Sequence, residues 1–281
     1  MKSYQSMKRY ITQIEDIWDN TDTYLKNEDK LRQANKVLHI VTNLLDTGKE
    51  RACFKDENGW QVNTWVKKAI LLLFKLSQNE IISLGSVQAY DKISPRFNPN
   101  WEEEDFARVG ARIVPGAYVR SGVFLGNNVV VMPSFINIGA YIDHNTMIDS
   151  MATVGSCAQI GENCHIASSV TIGGVLEPIT ERPVIIENNC FIGAGSQISE
   201  GVIVHEGSVI GSGVILSGST KIYNRDTNKI LYGTIPPYSV VVPGILPTQE
   251  SNKPSLMCAV IVKTVDKETR RKTTINEMLR A

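Results

Sequence analysis

The chain has 281 residues, 42% of them hydrophobic, and its Lys plus Arg and Asp plus Glu balance at 29 each. That length allows one or two domains with a sizeable core, and the zero net charge excludes a global field favouring nucleic acid or an anionic membrane. Charged ligands must therefore be recognised locally, and the expected partners are a small molecule or another protein chain, with no nucleic acid and no membrane.

Five cysteines, Cys53, Cys157, Cys164, Cys190 and Cys258, lack the CxxC spacing of a zinc or redox site, so packing in a reducing compartment is expected and no metal. The amino terminus has charge but no apolar h-region, and the apolar run Ala69 to Phe74 is too short to cross a bilayer. A cytoplasmic location is the expectation.

In chain order, Glu28 to Asp46 places Leu31, Ala34, Val37, Leu38, Val41, Leu44 and Leu45 at helical spacing, with Gly48 as a stop. Arg51 to Lys55 and Trp60 to Val62 flank Asp56-Glu57-Asn58-Gly59, which predicts a short hairpin. Asn63 is placed to cap a helix running to about Leu76, apolar at Trp65, Val66, Ala69, Ile70, Leu73 and Phe74. After the breaker-rich connector Pro95-Arg96-Phe97-Asn98-Pro99-Asn100, Trp101 to Phe106 reads as a short acidic helix. Residues 1–104 thus form a mostly helical first domain.

From there a six-residue ladder takes over. Ile113, Val119 and Leu125 open it in one phase. The main series is Val130, Ile136, Ile142, Ile148, Val154, Ile160, Ile166 and Ile172, then Ile186, Ile192, Ile198, Val204, Ile210, Leu216 and Ile222, with one residue lost between Leu125 and Val130. Such aliphatics make up roughly a quarter of an ordinary chain, so fifteen filled rungs by chance would have odds on the order of one in a billion. From Ala140 onward a small residue or Val stands two before each rung, as at Ala152, Cys164 and Cys190, and glycine follows several rungs. This is the hexapeptide pattern, in which short strands point large aliphatics into a narrow prism and three hexads make one coil.

The ladder breaks once, between Ile172 and Ile186, where a loop over 173–183 is extruded. Loops on rigid scaffolds commonly carry function. Residues 105–225 form the coil; 226–281 form a small cap, with strands expected at Ser239 to Val242 and Met257 to Val262 and a polar helix at Lys267 to Leu279. The fold class expected is α+β.

Several runs carry a family resemblance: Trp65-Val66-Lys67-Lys68-Ala69-Ile70, Asn137-Ile138-Gly139-Ala140-Tyr141-Ile142-Asp143, Ala152-Thr153-Val154-Gly155-Ser156-Cys157, Ile172-Gly173-Gly174-Val175-Leu176-Glu177-Pro178 and Cys258-Ala259-Val260-Ile261-Val262-Lys263. Together these resemble the bacterial tetrahydrodipicolinate N-succinyltransferases, over nearly the whole chain. The resemblance implies a homotrimer of left-handed parallel β-helices with inter-subunit active sites. It also implies succinyl transfer from succinyl-CoA to the amine of a ring-opened amino-dicarboxylate of the diaminopimelate and lysine pathway.

By that resemblance Arg112, in Gly110-Ala111-Arg112-Ile113, is a substrate-binding arginine, and Asp149, directly after Ile148, binds substrate and is catalytically important. Arg120 is a second candidate for the acceptor carboxylates, because a guanidinium grips a carboxylate bidentately. Glu177 is a candidate to orient the amine. Gly173 and Gly174 are candidates to present N–H groups to the thioester, and Ala194, Gly211, Ser212 and Lys221 to hold the coenzyme. Of the histidines, His165 precedes a rung and His144 and His205 stand elsewhere in the coil; structural roles are expected for them. Attack within a ternary complex needs no covalent enzyme intermediate, since a thioester is already activated.

Three segments depart from the family. Where it commonly reads Ala-Arg-Ser-Glu, with the glutamate as proposed base, this chain has Ala194-Gly195-Ser196-Gln197, and an amide has no useful basicity near neutral pH. Asp149-Ser150-Met151 stands for Asp-Thr-Trp, and Ser168-Ser169-Val170-Thr171 replaces a glycine-richer stretch. A second enzymatic reading therefore stands beside the first: a diverged paralogue acylating, with acetyl-CoA, a related amino-dicarboxylate, similar to the acyltransferases of tabtoxin-type β-lactam biosynthesis. A third is an inactive solenoid serving as a scaffold.

Overall fold

Stacked parallel coils dominate the computed structural model, which describes residues 2–84, 87–97, 100–248, 253–272 and 274–279; Asn98 and Pro99 of the connector lie outside that set. Each coil lays one two-residue strand on each of three faces. The first face carries Arg112–Ile113, Val130–Val131, Met147–Ile148, His165–Ile166, Phe191–Ile192 and Val209–Ile210. The second carries Tyr118–Val119, Phe135–Ile136, Thr153–Val154, Thr171–Ile172, Gln197–Ile198 and Ile215–Leu216, and the third runs from Phe124–Leu125 through Tyr141–Ile142, Gln159–Ile160 and Ile185–Ile186 to Ile203–Val204 and Thr234–Ile235.

Because successive side chains in a strand point to opposite sides, the second residue of each pair enters the prism and the first points out. The inward column and the small residues two before it form one continuous buried core from Val119 to Ile261. One rung differs from the sequence expectation. Val131 is fully buried while Val130 faces outward, paired with Arg112 and Met147. The lost residue therefore falls after Val131, in the shortened corner Met132-Pro133-Ser134, and not before Val130. Both positions are valine, so side-chain type could not choose between them.

Corner chemistry explains the rest of the pattern. Asn128, Asn145, Asn163 and Asn189 adopt positive φ at the corner between the third and first faces. Asn tolerates that conformation better than most residues, and the stack ties itself together, Asn128 Nδ2 donating to Asn145 Oδ1 at 3.1 Å and Asn145 Nδ2 to Asn163 Oδ1 at 3.2 Å. At Gly174 a Cβ would come within 2.2 Å of the Ser156 nitrogen, so the loop can leave the coil there only over glycine.

The amino-terminal helices α1 (Lys2–Asp19), α2 (Thr21–Leu25), α3 (Glu28–Asp46) and α4 (Thr64–Leu76) share a core that includes Ile138 and Cys157 of the coil. The expected helix over 28–46 is present, capped by Asn27, whose Oδ1 accepts from the Lys30 amide. Asn63 stands at the head of α4 but makes no side-chain cap; its amide donates instead to Glu50 and to the Arg51 carbonyl. The hairpin of β1 (Cys53–Asp56) and β2 (Gly59–Val62) covers the third face, packing Cys53, Trp60 and Val62 on Ile185 and Ile203.

The acidic helix falls at Glu103–Val109, later than expected, and Gly110 ends it in a left-handed conformation. At the far end the strands Ser239–Leu246 and Leu256–Thr264 pair antiparallel and join the first-face sheet. The single terminal helix expected over 267–279 is two, Lys267–Lys272 and Ile275–Leu279, because Thr274 and Glu277 form a reciprocal cap that starts a new helix. Met278 and Leu279 pack over Phe191, Val209 and Val240. The first face is thereby covered above Phe191 and open below it. Among the described residues no helix is long and apolar enough to cross a membrane.

Candidate active site

The open part of the first face displays Arg112, Val130, Met147 and His165 outward on successive coils, in register. Arg112 is exposed, and among the described residues its guanidinium has no side-chain partner. Asp149 leaves the same face at the corner after Met147–Ile148. Its backbone N–H stays in the coil ladder, bonded to Ile166 O at 2.9 Å, and its carboxylate accepts the Ser150 N–H at 2.7 Å through Oδ1. Asp149 Oδ2 lies 3.4 Å from His165 Nε2.

Burial works to raise the Asp149 carboxyl. The Ser150 amide, the bond to and charge of His165, and a bond to Ser168 outweigh it and hold the group below the usual carboxylate range. Asp149 is consequently a fixed anion near neutral pH and a weak base. His165 in turn meets the Phe191 ring edge-on at 5.4 Å, next to the C-terminal cap. The other coil histidines stand at another corner: His144 Nδ1 accepts the Asn127 N–H at 2.9 Å, and His205 Nδ1 lies 2.9 Å from Glu187.

The remaining candidates are dispersed. Arg120 stands on the second face and is committed to Asp91 Oδ2 at 2.5 Å and Asn137 Oδ1 at 3.2 Å, bracing the hairpin Glu80–Leu84 and Val87–Asp91 against the coil; among the described residues its buried Nε has no acceptor. Glu177 is exposed in the extruded loop, beside a pocket formed with Trp18, Leu71, Phe74 and Lys75, and is not gathered with Asp149. Gly173 cannot offer its N–H to a thioester, because that N–H bonds Ile198 O at 2.7 Å; Gly174 lies exposed against Gly155 and Ser156. The Gly211 N–H is likewise spent on Val241 O at 2.7 Å. Ala194 and Ser212 are exposed at the corner that holds Asp149, two and three coils further on, and Lys221 is half-buried near the cap. Gln197 points outward and exposed from the second face, paired between Thr171 and Ile215.

Sequence reading did not single out Lys67. It is fully buried on α4, and its ammonium donates to Pro178 O at 3.0 Å and Glu181 O at 2.7 Å, pinning the extruded loop from the helical side. Arg182 pins the loop's other end by donating to Gly201 O. The hint in the sequence was a lysine one turn before Ile70, on the apolar side of its helix. Its partners lie over a hundred residues away.

Comparison with known proteins decides the family. Residues 10–76 match the tetrahydrodipicolinate N-succinyltransferase N-terminal family, residues 139–174 the bacterial transferase hexapeptide (six repeats) and residues 183–217 the hexapeptide repeat of succinyl-transferase. The 2,3,4,5-tetrahydropyridine-2,6-dicarboxylate N-succinyltransferase of Rickettsia bellii is 55% identical over 275 residues, covering 98% of this chain and all of that one. The Wolbachia pipientis protein of the same name is 52% identical over 276 residues, 98% of this chain and 99% of the other. The chain belongs to the tetrahydrodipicolinate N-succinyltransferase family. A Campylobacter jejuni structure described as a 2,3,4,5-tetrahydropyridine-2-carboxylate N-succinyltransferase matches with TM-score 0.52 at 18% identity, over 80% of this chain and 62% of that one. That likeness supports the fold, a left-handed parallel β-helix with a helical amino-terminal domain. As a family member the chain is an acyltransferase using an acyl-CoA cosubstrate.

Proposed function

We propose that this chain transfers succinyl from succinyl-CoA to the amine of ring-opened tetrahydrodipicolinate, in the diaminopimelate and lysine pathway of the cytoplasm. The observation that carries the reading is the shared first face of Arg112 and Asp149. Two inter-strand steps separate their coils, about 10 Å along the axis, so one small amino-dicarboxylate can place a carboxylate on the Arg112 guanidinium and bring its amine to the coil that carries Asp149. The names of the curated relatives support the donor and acceptor. The free Arg112, rather than Arg120 with its carboxylate partner, takes the acceptor.

The site is completed by a neighbouring copy in a homotrimer. Support comes from the open strip beside Asp149, where Met151, Thr171, Gln197 and Ile215 are exposed. Ala194 and Ser212 on the same corner are placed to meet the coenzyme. Glu177, on the loop pinned by Lys67, meets the acceptor only from another copy's side.

The amine attacks the thioester carbonyl, a tetrahedral oxyanion forms, and the C–S bond breaks to release the coenzyme thiolate. Thiol release is the assay: succinyl-CoA and acetyl-CoA are each offered with tetrahydrodipicolinate and with 2-aminopimelate. Release with succinyl-CoA on these acceptors is expected. Preference for acetyl-CoA would favour the diverged-paralogue reading that Gln197 and Met151 motivate, and no release with any pair, together with no coenzyme binding, would leave only the scaffold.

A further inference from the structure

We propose that His165 is the proton acceptor of the acyl transfer, oriented by Asp149. The inference rests on the acyl-transfer reading and adds the group that the sequence left without an owner. A proton must leave the attacking nitrogen as the C–N bond forms, and Gln197 cannot take it. Asp149 is too weak a base, and Glu177 projects from another corner. His144 and His205 are bonded elsewhere.

The geometry supplies what a base requires. A carboxylate facing Nε2 favours the tautomer with its proton there, leaving the Nδ1 lone pair free. Among the described residues Nδ1 has no partner, and the side chain is 42% exposed, so a substrate amine can reach it. The Phe191 edge fixes the ring from the next coil, and Asp149 is the charged group in contact with it. The 3.4 Å separation is long for a hydrogen bond, as catalytic contacts often are before substrate binds. The step balances without further reagents. The amine lone pair forms the C–N bond, its proton passes to His165 Nδ1, the oxyanion collapses with the C–S pair leaving on sulfur, and the imidazolium returns the proton to the departing thiolate.

The test is the pH dependence of kcat and KM for the wild-type protein, His165→Gln and Asp149→Asn, each checked for an unchanged melting profile. His165→Gln should lower kcat about 10²- to 10⁴-fold, leave KM for the acyl-CoA within about threefold, and abolish the rising limb of the pH profile. Asp149→Asn removes the anion that favours imidazolium, so it should slow the reaction and move the limb to lower pH. A His165→Gln enzyme within about threefold of wild type, with the limb in place, overturns the inference. Should that variant fail to fold, an unmoved limb in Asp149→Asn overturns it as well. Absence of turnover in the wild type at every pH would overturn the acyl-transfer reading, and this inference with it.

Discussion

Lys67 shows how one residue can hold a distant segment. Its ammonium satisfies two loop carbonyls, at Pro178 and Glu181, from a position without solvent contact, and burial pulls its pKa below the ordinary lysine value. Replacing it by Met keeps most of the volume and strands both acceptors, at about 1–3 kcal/mol each. Lys67→Met should therefore cost about 2–6 kcal/mol in denaturant unfolding and raise amide hydrogen exchange across residues 173–183, with a smaller loss for Lys67→Arg. Wild-type stability and exchange in Lys67→Met would refute this role. The sequence shows a lysine on an amphipathic helix and nothing of its partners, because they lie more than a hundred residues further along the chain. Arg112 and Asp149 were singled out through resemblance, and their roles are the proposal made above. The contact between His165 and Asp149 was not legible: His165 pairs with Met147 one coil away, and only the turn of the corner brings Asp149 back to it.

At the scale of elements, the period of six was legible except at the Val130–Val131 pair, because each inward residue stacks on its counterpart in the next coil. The hairpins at Glu80–Leu84 with Val87–Asp91 and at Ile222–Asn224 with Lys229–Leu231 were not anticipated, since such short strands leave too little alternation to read. Even the anticipated hairpin Cys53–Val62 owes its place to something nonlocal. Glu187 of the coil accepts from Lys55 Nζ at 2.7 Å and Trp60 Nε1 at 2.8 Å, and its other oxygen meets His205 Nδ1 at 2.9 Å. Burial would raise its carboxyl, but the bonds from His205, Lys55 and Trp60 and the His205 charge hold it well below the usual range. Stability from a depressed carboxylate is complete above the unfolded value of about 4.3 and fades as pH falls toward the folded one. Glu187→Gln should thus cost about 1–3 kcal/mol at pH 7, and the gap to wild type should narrow below about pH 4. Parallel pH–stability curves for the two proteins would count against the clamp.

The whole molecule distributes its surfaces unevenly. The third face lies under the helical domain, and the first face above Phe191 lies under the terminal helices. Among the described residues the second face beyond the hairpin that Arg120 braces, and its edge toward Asp149, have no such cover, and they carry Met151 at 71% and Ile215 at 46% exposure. Met151 holds a positive φ of 60° at its corner, where its backbone N–H bonds Pro133 O at 2.7 Å. On an isolated chain, replacing such exposed side chains by Asp would change stability by less than about 0.5 kcal/mol. On a trimer that buries them, each would place a carboxylate in an apolar contact, where an unpaired buried charge costs several kcal/mol. The two cases separate cleanly by sedimentation. Wild-type protein should run at three chain masses, and Met151→Asp combined with Ile215→Asp should run at one, with circular dichroism retained. If the site needs a second copy, acyl transfer should fall with the trimer and return as concentration drives reassembly. A doubly substituted chain that stays trimeric, or a monomer that keeps full turnover, would place the assembly contact elsewhere or make each chain sufficient for the reaction.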